Sequence, residues 1–276
     1  MNQQSLPLAH WGLERWPFCQ VPDAARFYPT PAGNEALARI EHLVESRRRL
    51  GVLLGESGAG KTLLLQAASR RLVRQSAAVA TIDAEGLSAR EMLWQTAASL
   101  AAAPAEDADA SRLWRLIADR VLENRLQQIA TVLLVDNAGR AGPDVITQWM
   151  RLARLEATPA ARWTMVLAAE PTQAARWPQT LRDLVDLRID LHRWEHEDTV
   201  GYVQTALVES GRLEPLFDEA ALALMHERTE GVPRRVVRLA DYALVAGAAA
   251  GLSLIDCATL DGANQELAWP TPSAVY

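Results

Sequence analysis

The sequence predicts an α/β fold: a parallel sheet sandwiched between helices, followed by a small all-helical domain. Three observations lead there. Apolar runs at 51–54, 77–82, 131–135 and 163–168 lack polar alternation, as strands buried on both faces do. Helical patterns separate them, and parallel neighbours need such crossovers. After about residue 195 the strand signals stop and only helical patterns remain.

Residues 1–33 read as irregular, because prolines at 17, 22, 29 and 31 forbid a long helix. From 34 to 49, Leu37, Ile40 and Leu43/Val44 line one helical face. The strand at 51–54 enters a glycine-rich loop, and 63–72 is helical. Ser88-Ala-Arg-Glu91 is a capping box that opens a helix after the second strand. The low-complexity stretch 101–110 reads as an exposed loop, 111–128 as helix, and 131–135 as a strand ending in Asp136. A helix follows from about Pro143, then the strand at 163–168 and a short strand at 187–191. Helical stretches at 196–210, 218–228, 233–247 and 253–260 complete the chain. The expected boundaries are an N-terminal segment 1–33 contributing to a nucleotide pocket, an α/β domain 34–195, a helical lid 196–265 and a tail 266–276.

The 276 residues are 49% hydrophobic and 22% charged, enough for a substantial core, and carry a net charge of −6. That balance excludes a global attraction to nucleic acid or acidic lipid. Cys19 and Cys257 lie far apart without CxxC spacing, which excludes a disulfide framework and a zinc site and suits buried thiols in a reducing compartment. The N-terminus lacks the basic start and apolar run of a signal peptide, and no stretch approaches the roughly 18 apolar residues of a membrane span. The expected location is the cytoplasm.

Gly55-Glu56-Ser57-Gly58-Ala59-Gly60-Lys61-Thr62 fits G-x-x-x-x-G-K-[ST], between a strand and a helix. Glycines let successive N–H groups point at phosphate oxygens, and the helix start through Leu63 adds its positive end. Lys61 is the single lysine among 28 Lys plus Arg residues. A compact ammonium on a flexible stem reaches between β- and γ-phosphates where the rigid guanidinium fork does not fit. Thr62 offers a hydroxyl to Mg²⁺, and Asp136 offers a carboxylate from the opposite strand tip. The expected ligand is therefore ATP with Mg²⁺.

The residue after Asp136 is Asn137, where nucleotide hydrolases of this build carry a glutamate. An amide orients water but takes no proton, and a missing base lowers the rate by roughly 10²–10⁴. The sequence thus predicts binding and not rapid hydrolysis. If the strand at 163–168 lies between the loop strand and the Asp136 strand, Glu170 emerges beside the γ-phosphate as a substitute base.

In order along the chain, HWGLERWPFCQVPDAARFYPTPAGNEAL, GESGAGKT, LLVDNA and EGVPRRVVRLADYALVAG resemble the AAA+ ATPases typified by general secretion pathway protein A, relatives of transposition and origin-type ATPases. The likeness covers roughly residues 9–265. It implies a pocket between sheet and lid, with Arg234 as the second-sensor arginine. It also implies an arginine finger that reaches a neighbouring subunit, for which Arg182 is the candidate. Leu184 stands where relatives have a second arginine, and Glu170 where they have glutamine. Long secretion-type members carry a membrane span and a wall-binding module after the lid, and neither precedes Tyr276. The resemblance implies a homo-oligomer and a protein partner in a secretion or envelope machine. The alternatives are a nucleic-acid-associated ATPase, DNA being possible through the clusters Arg47–Arg49 and Arg70, Arg71 and Arg74 but not favoured, and a scaffold that binds ATP without hydrolysing it. His192-Arg-Trp-Glu195-His196 fits H-x-x-E-H but straddles a strand end and a helix start, so no metal is expected there.

Overall fold

The computed structural model describes residues 5–18, 23–155, 158 and 160–267. Cys19 and most of the tail at 266–276 lie outside them. The chain divides into two compact units: residues 23–192, and residues 1–22 together with 193–276. The divisions fall at 22/23 and 192/193, where the sequence suggests 33/34 and 195/196.

Helix α1 (Ser5–Trp11) belongs to the second unit. The first unit starts with α2 (Pro31–Glu45), set by Pro31 at its first turn and by Thr30, whose Oγ1 accepts the Gly33 N–H at 3.0 Å. Then follow β1 (Leu50–Gly55), α3 (Lys61–Arg74), β2 (Ala78–Asp83) and α4 (Ala89–Ser99), the last with the predicted Ser88/Glu91 capping box. Next come α5 (Ala110–Leu126), β3 (Thr131–Asp136), α6 (Pro143–Leu152) and β4 (Trp163–Ala169). Two single turns, α7 (Pro171–Ala174) and α8 (Gln179–Arg182), precede β5 (Leu187–Leu191). Four-residue helices carry no periodicity, so the sequence does not announce them.

The five strands are parallel in the order β2-β3-β4-β1-β5. β1, β3 and β4 are buried at every position, which explains their unbroken apolar runs. One face packs under α4, α5 and α6 through Met92, Leu113, Ile117, Trp149 and Trp163. The other packs under α2 and α3 through Leu37, Ile40, Leu64, Leu65 and Leu72.

The helical unit comprises α9 (His196–Glu209), α10 (Glu219–Thr229), α11 (Pro233–Ala249) and α12 (Cys257–Leu267), with α1 and the residues after it packed into the same core. Trp11, 2% exposed, donates its indole N–H to the Leu244 carbonyl at 2.8 Å, and its ring fills the space beside Gly247. Trp16 donates to Asp241 Oδ1 at 2.5 Å. These two indoles, with the Glu14 N–H on the Ser210 carbonyl and buried Leu13 and Phe18, tie the N-terminal residues to the helical unit. Cys257 is a free thiol, half-buried rather than buried, at the start of α12. Trp11→Ala is expected to destabilise this unit by about 3–5 kcal/mol, the usual cost of deleting a buried aromatic. Denaturant unfolding followed by circular dichroism measures it; a loss under about 1 kcal/mol contradicts the packing role.

Candidate functional site

The loop between β1 and α3 is shaped by its glycines. Gly58 and Gly60 hold φ of 82° and 97°, a region that side chains disfavour. A Cβ on Gly55 would press to 3.1 Å from the Leu191 carbonyl, so the strand end stays bare where it meets β5. Within the loop the Ala59 N–H reaches the Glu56 carbonyl at 3.2 Å, and the Leu64 N–H reaches Gly60 O at 2.9 Å. That bond is the first of the helix, so the N–H groups of Thr62 and Leu63 stand ahead of it at the helix start, where an anion is favoured. A Cβ on Gly60 would meet nothing within 4 Å, so this side of the loop is open. These features fit phosphate oxygens.

Lys61 Nζ folds over the loop and donates to the Gly55 and Glu56 carbonyls at 2.7 and 2.9 Å. Thr62 Oγ1 donates to Asp136 Oδ2 at 2.5 Å. Asp136 is 8% exposed, and its other oxygen accepts the Asn137 N–H at 2.9 Å. A hydroxyl beside a nearly buried carboxylate is a donor set suited to a hard divalent cation such as Mg²⁺. Among the described residues no group of three His, Cys, Asp or Glu side chains clusters as a metal centre. The H-x-x-E-H stretch is broken, since β5 ends at Leu191 and α9 begins at His196.

Beyond Asp136 the chain turns through Asn137 at φ 51°, a left-handed conformation that asparagine tolerates. Its Nδ2 donates to Asp83 Oδ1 at 3.0 Å. Asp83 ends β2 and is the register partner of Asp136. Sequence reasoning passed over Asp83, although TID at the end of a predicted strand offered the same signal as LVD. It also passed over Arg140, which forms an ion pair with Glu85. The Glu85 hydrogen bond, then its charge, holds the Arg140 guanidinium above its ordinary pKa, with smaller help from Glu170 and Asp83.

The strand order meets the condition set for Glu170: β4 lies between β1 and β3. Ala169 pairs with Leu54, so Glu170 follows at the C-terminal end of the interior strand β4, beside the strand that leads into the loop. It is half-buried, and its charge acts on Arg140. Gln173 lies across Gly139, where any Cβ would collide with it. Arg182 ends α8, exposed and without an ion pair among the described residues.

Arg234 belongs to the helical unit and stands at the second position of α11, exposed and without an ion pair among the described residues. Its neighbour Arg235 is engaged by Glu230 at 3.4 Å. The Gly231 carbonyl accepts the Trp194 N–H at 2.8 Å, and a Cβ on Gly231, whose φ is 65°, would collide with the Trp194 backbone. That contact fixes the Gly-Val-Pro turn ahead of Arg234.

Residues 44–177 match the AAA domain family. Over 245 residues the chain is 29% identical to general secretion pathway protein A of Aeromonas hydrophila, covering 87% of this chain and 45% of that protein. The chain thus spans under half the length of this curated relative. Among solved structures, Cdc6p from Pyrobaculum aerophilum superposes with a TM-score of 0.67 at 17% identity, covering 90% of this chain and 72% of the other. The Drosophila ORC structure bound to DNA gives 0.72 at 16% identity, covering 98% and 68%. The Thermotoga maritima RuvB branch migration motor gives 0.60 at 14%, covering 90% and 72%. At such identities the structural likeness speaks for the fold alone.

Proposed function

We propose that this chain, similar over 245 residues to general secretion pathway protein A and matching the AAA domain family at residues 44–177, works as a nucleotide-dependent assembly switch of the P-loop AAA+ kind. The observation that carries the reading is the convergence of Lys61, Thr62 and Asp136 on one glycine-shaped loop. The loop amides from Gly58 to Leu63 and Lys61 Nζ hold the phosphates of ATP. Thr62 and Asp136 hold Mg²⁺, which neutralises phosphate charge when bound.

Turnover is slow, because residue 137 carries an amide. Asn137 orients water and Glu170, at the tip of the strand beside the loop, accepts the proton. Arg234, exposed at the start of α11, is the guanidinium that the family resemblance assigns to phosphate sensing. Arg182 is the exposed guanidinium offered to a second copy. ATP then favours self-assembly and engagement of a protein partner, by analogy an envelope or secretion component, from the cytoplasm. Among the described residues no helix is long and apolar enough to cross a membrane.

Light scattering after size exclusion tests the switch. With Mg²⁺ and ATP the wild type is expected to move to a larger species, and Arg182→Ala to bind nucleotide but stay small. Equal mass with and without nucleotide contradicts the assembly reading. Arg74, Arg48 and Arg49, cations without ion pairs among the described residues, favour a second reading, contact with nucleic acid. Their neighbours Arg70 and Arg71 are taken up by Asp23 and Glu41, which thins the patch. A steep fall of log affinity for DNA with log salt supports that second reading; no measurable DNA affinity removes it.

A further inference from the structure

The tips of β2 and β3 carry an acid and an amide in contact, on neighbouring strands whose last residues, Asp83 and Asp136, are in register. We propose that Asp83 is a positioning residue that fixes the Asn137 amide, so that the pair forms an acid–amide couple whose polarity across the two strands sets nucleotide turnover. The proposal rests on the reading of the loop as a nucleoside triphosphate pocket.

A carboxylate only accepts hydrogen bonds, so its contact with Asn137 requires the amide NH₂ to face Asp83. The same Asp83 oxygen also accepts the Glu85 N–H at 3.0 Å, which anchors the carboxylate to its own turn. The Asn137 carbonyl oxygen is then the end left for a water. It accepts a hydrogen bond from that water and takes up no proton. The acid of the couple sits one strand further from the loop, on β2, at the edge of the sheet. Arg140 does not cancel it, since that guanidinium is bound first to Glu85 and feels Asp83 only as a lesser charge.

The couple predicts how a base is restored. Asn137→Glu alone sets a new carboxylate against Asp83. Two like charges at that range force one to take a proton or to swing away, and either outcome spoils a base. Adding Asp83→Asn supplies an amide donor from β2, and the acid then stands on β3 directly after Asp136. The pair is rebuilt with its polarity exchanged.

The test is steady-state ATP hydrolysis at saturating Mg²⁺–ATP for wild type, Asp83→Asn, Asn137→Glu and the double variant, with calorimetric Mg²⁺–ATP affinity for each. The double variant is expected to exceed both the wild type and Asn137→Glu in kcat by at least about tenfold, with affinity retained, in the lower range of general-base effects. Asn137→Glu as fast as the double variant overturns the couple, and so does a double variant no faster than wild type while binding the nucleotide. Thermal unfolding of the four proteins reads the same couple without catalysis: Asn137→Glu lowers Tm and Asp83→Asn restores it, whereas additive shifts overturn the proposal. Failure of the wild type itself to take up Mg²⁺–ATP sinks the pocket reading beneath it, and the calorimetry distinguishes that result from loss of the couple alone.

Discussion

Lys61→Ala will weaken Mg²⁺–ATP binding by at least about 100-fold without unfolding the protein. The ammonium donates to two carbonyls of its own loop, at Gly55 and Glu56, so it is held over the surface where the helix N–H groups converge. Hydrogen bonds to charged groups contribute about 1.5–3 kcal/mol each, and two phosphate contacts correspond to a 100-fold change or more. The fold is expected to survive, because Lys61 is only half-buried and the core beneath it is formed by Leu64 and Leu65. Lys61→Arg should fail nearly as badly. The planar fork cannot turn two donors at once toward phosphates within a loop closed around Gly58 and Gly60. Calorimetric titration with circular dichroism on the same samples reads both parts. A variant that binds as the wild type does contradicts the assignment of the single lysine.

Glu170→Ala will lower the residual ATP turnover by roughly 10²–10⁴, with little change in affinity. Glu170 is the carboxylate at the tip of β4, the strand that lies between the loop strand and the Asp136 strand. Asn137 supplies no base, and Asp83 is occupied by Asn137 and by the Glu85 backbone. Glu170→Gln keeps the size and removes the proton acceptor, so it should fall with Glu170→Ala in kcat and remain with wild type in Kd. The comparison is steady-state hydrolysis against calorimetric affinity. Unchanged turnover in both variants contradicts the role of Glu170 as base and leaves the binding site intact.

Much of this site was legible because its signals are local. Glycine spacing around Lys61 reflects φ values that only glycine adopts freely, at Gly58 and Gly60. The unbroken apolar runs of β1, β3 and β4 follow from burial on both faces. What was not legible depends on strand order. Periodicity finds β4 and leaves its neighbours open, so the position of Glu170 could be stated only conditionally. The Asp83–Asn137 contact joins residues 54 apart in sequence, on strands whose adjacency no local pattern encodes. The packing of Trp11 and Trp16 against α11 is longer-ranged still, and an irregular proline-rich segment gives no hint of which core its indoles enter.

The most direct measurement is titration of Mg²⁺–ATP into the purified wild-type chain, followed by calorimetry. Saturable uptake of one nucleotide per chain, abolished by Lys61→Ala, is the predicted result. No heat of binding for ATP or GTP in the presence of Mg²⁺, from protein that is folded by circular dichroism, contradicts the account at its root.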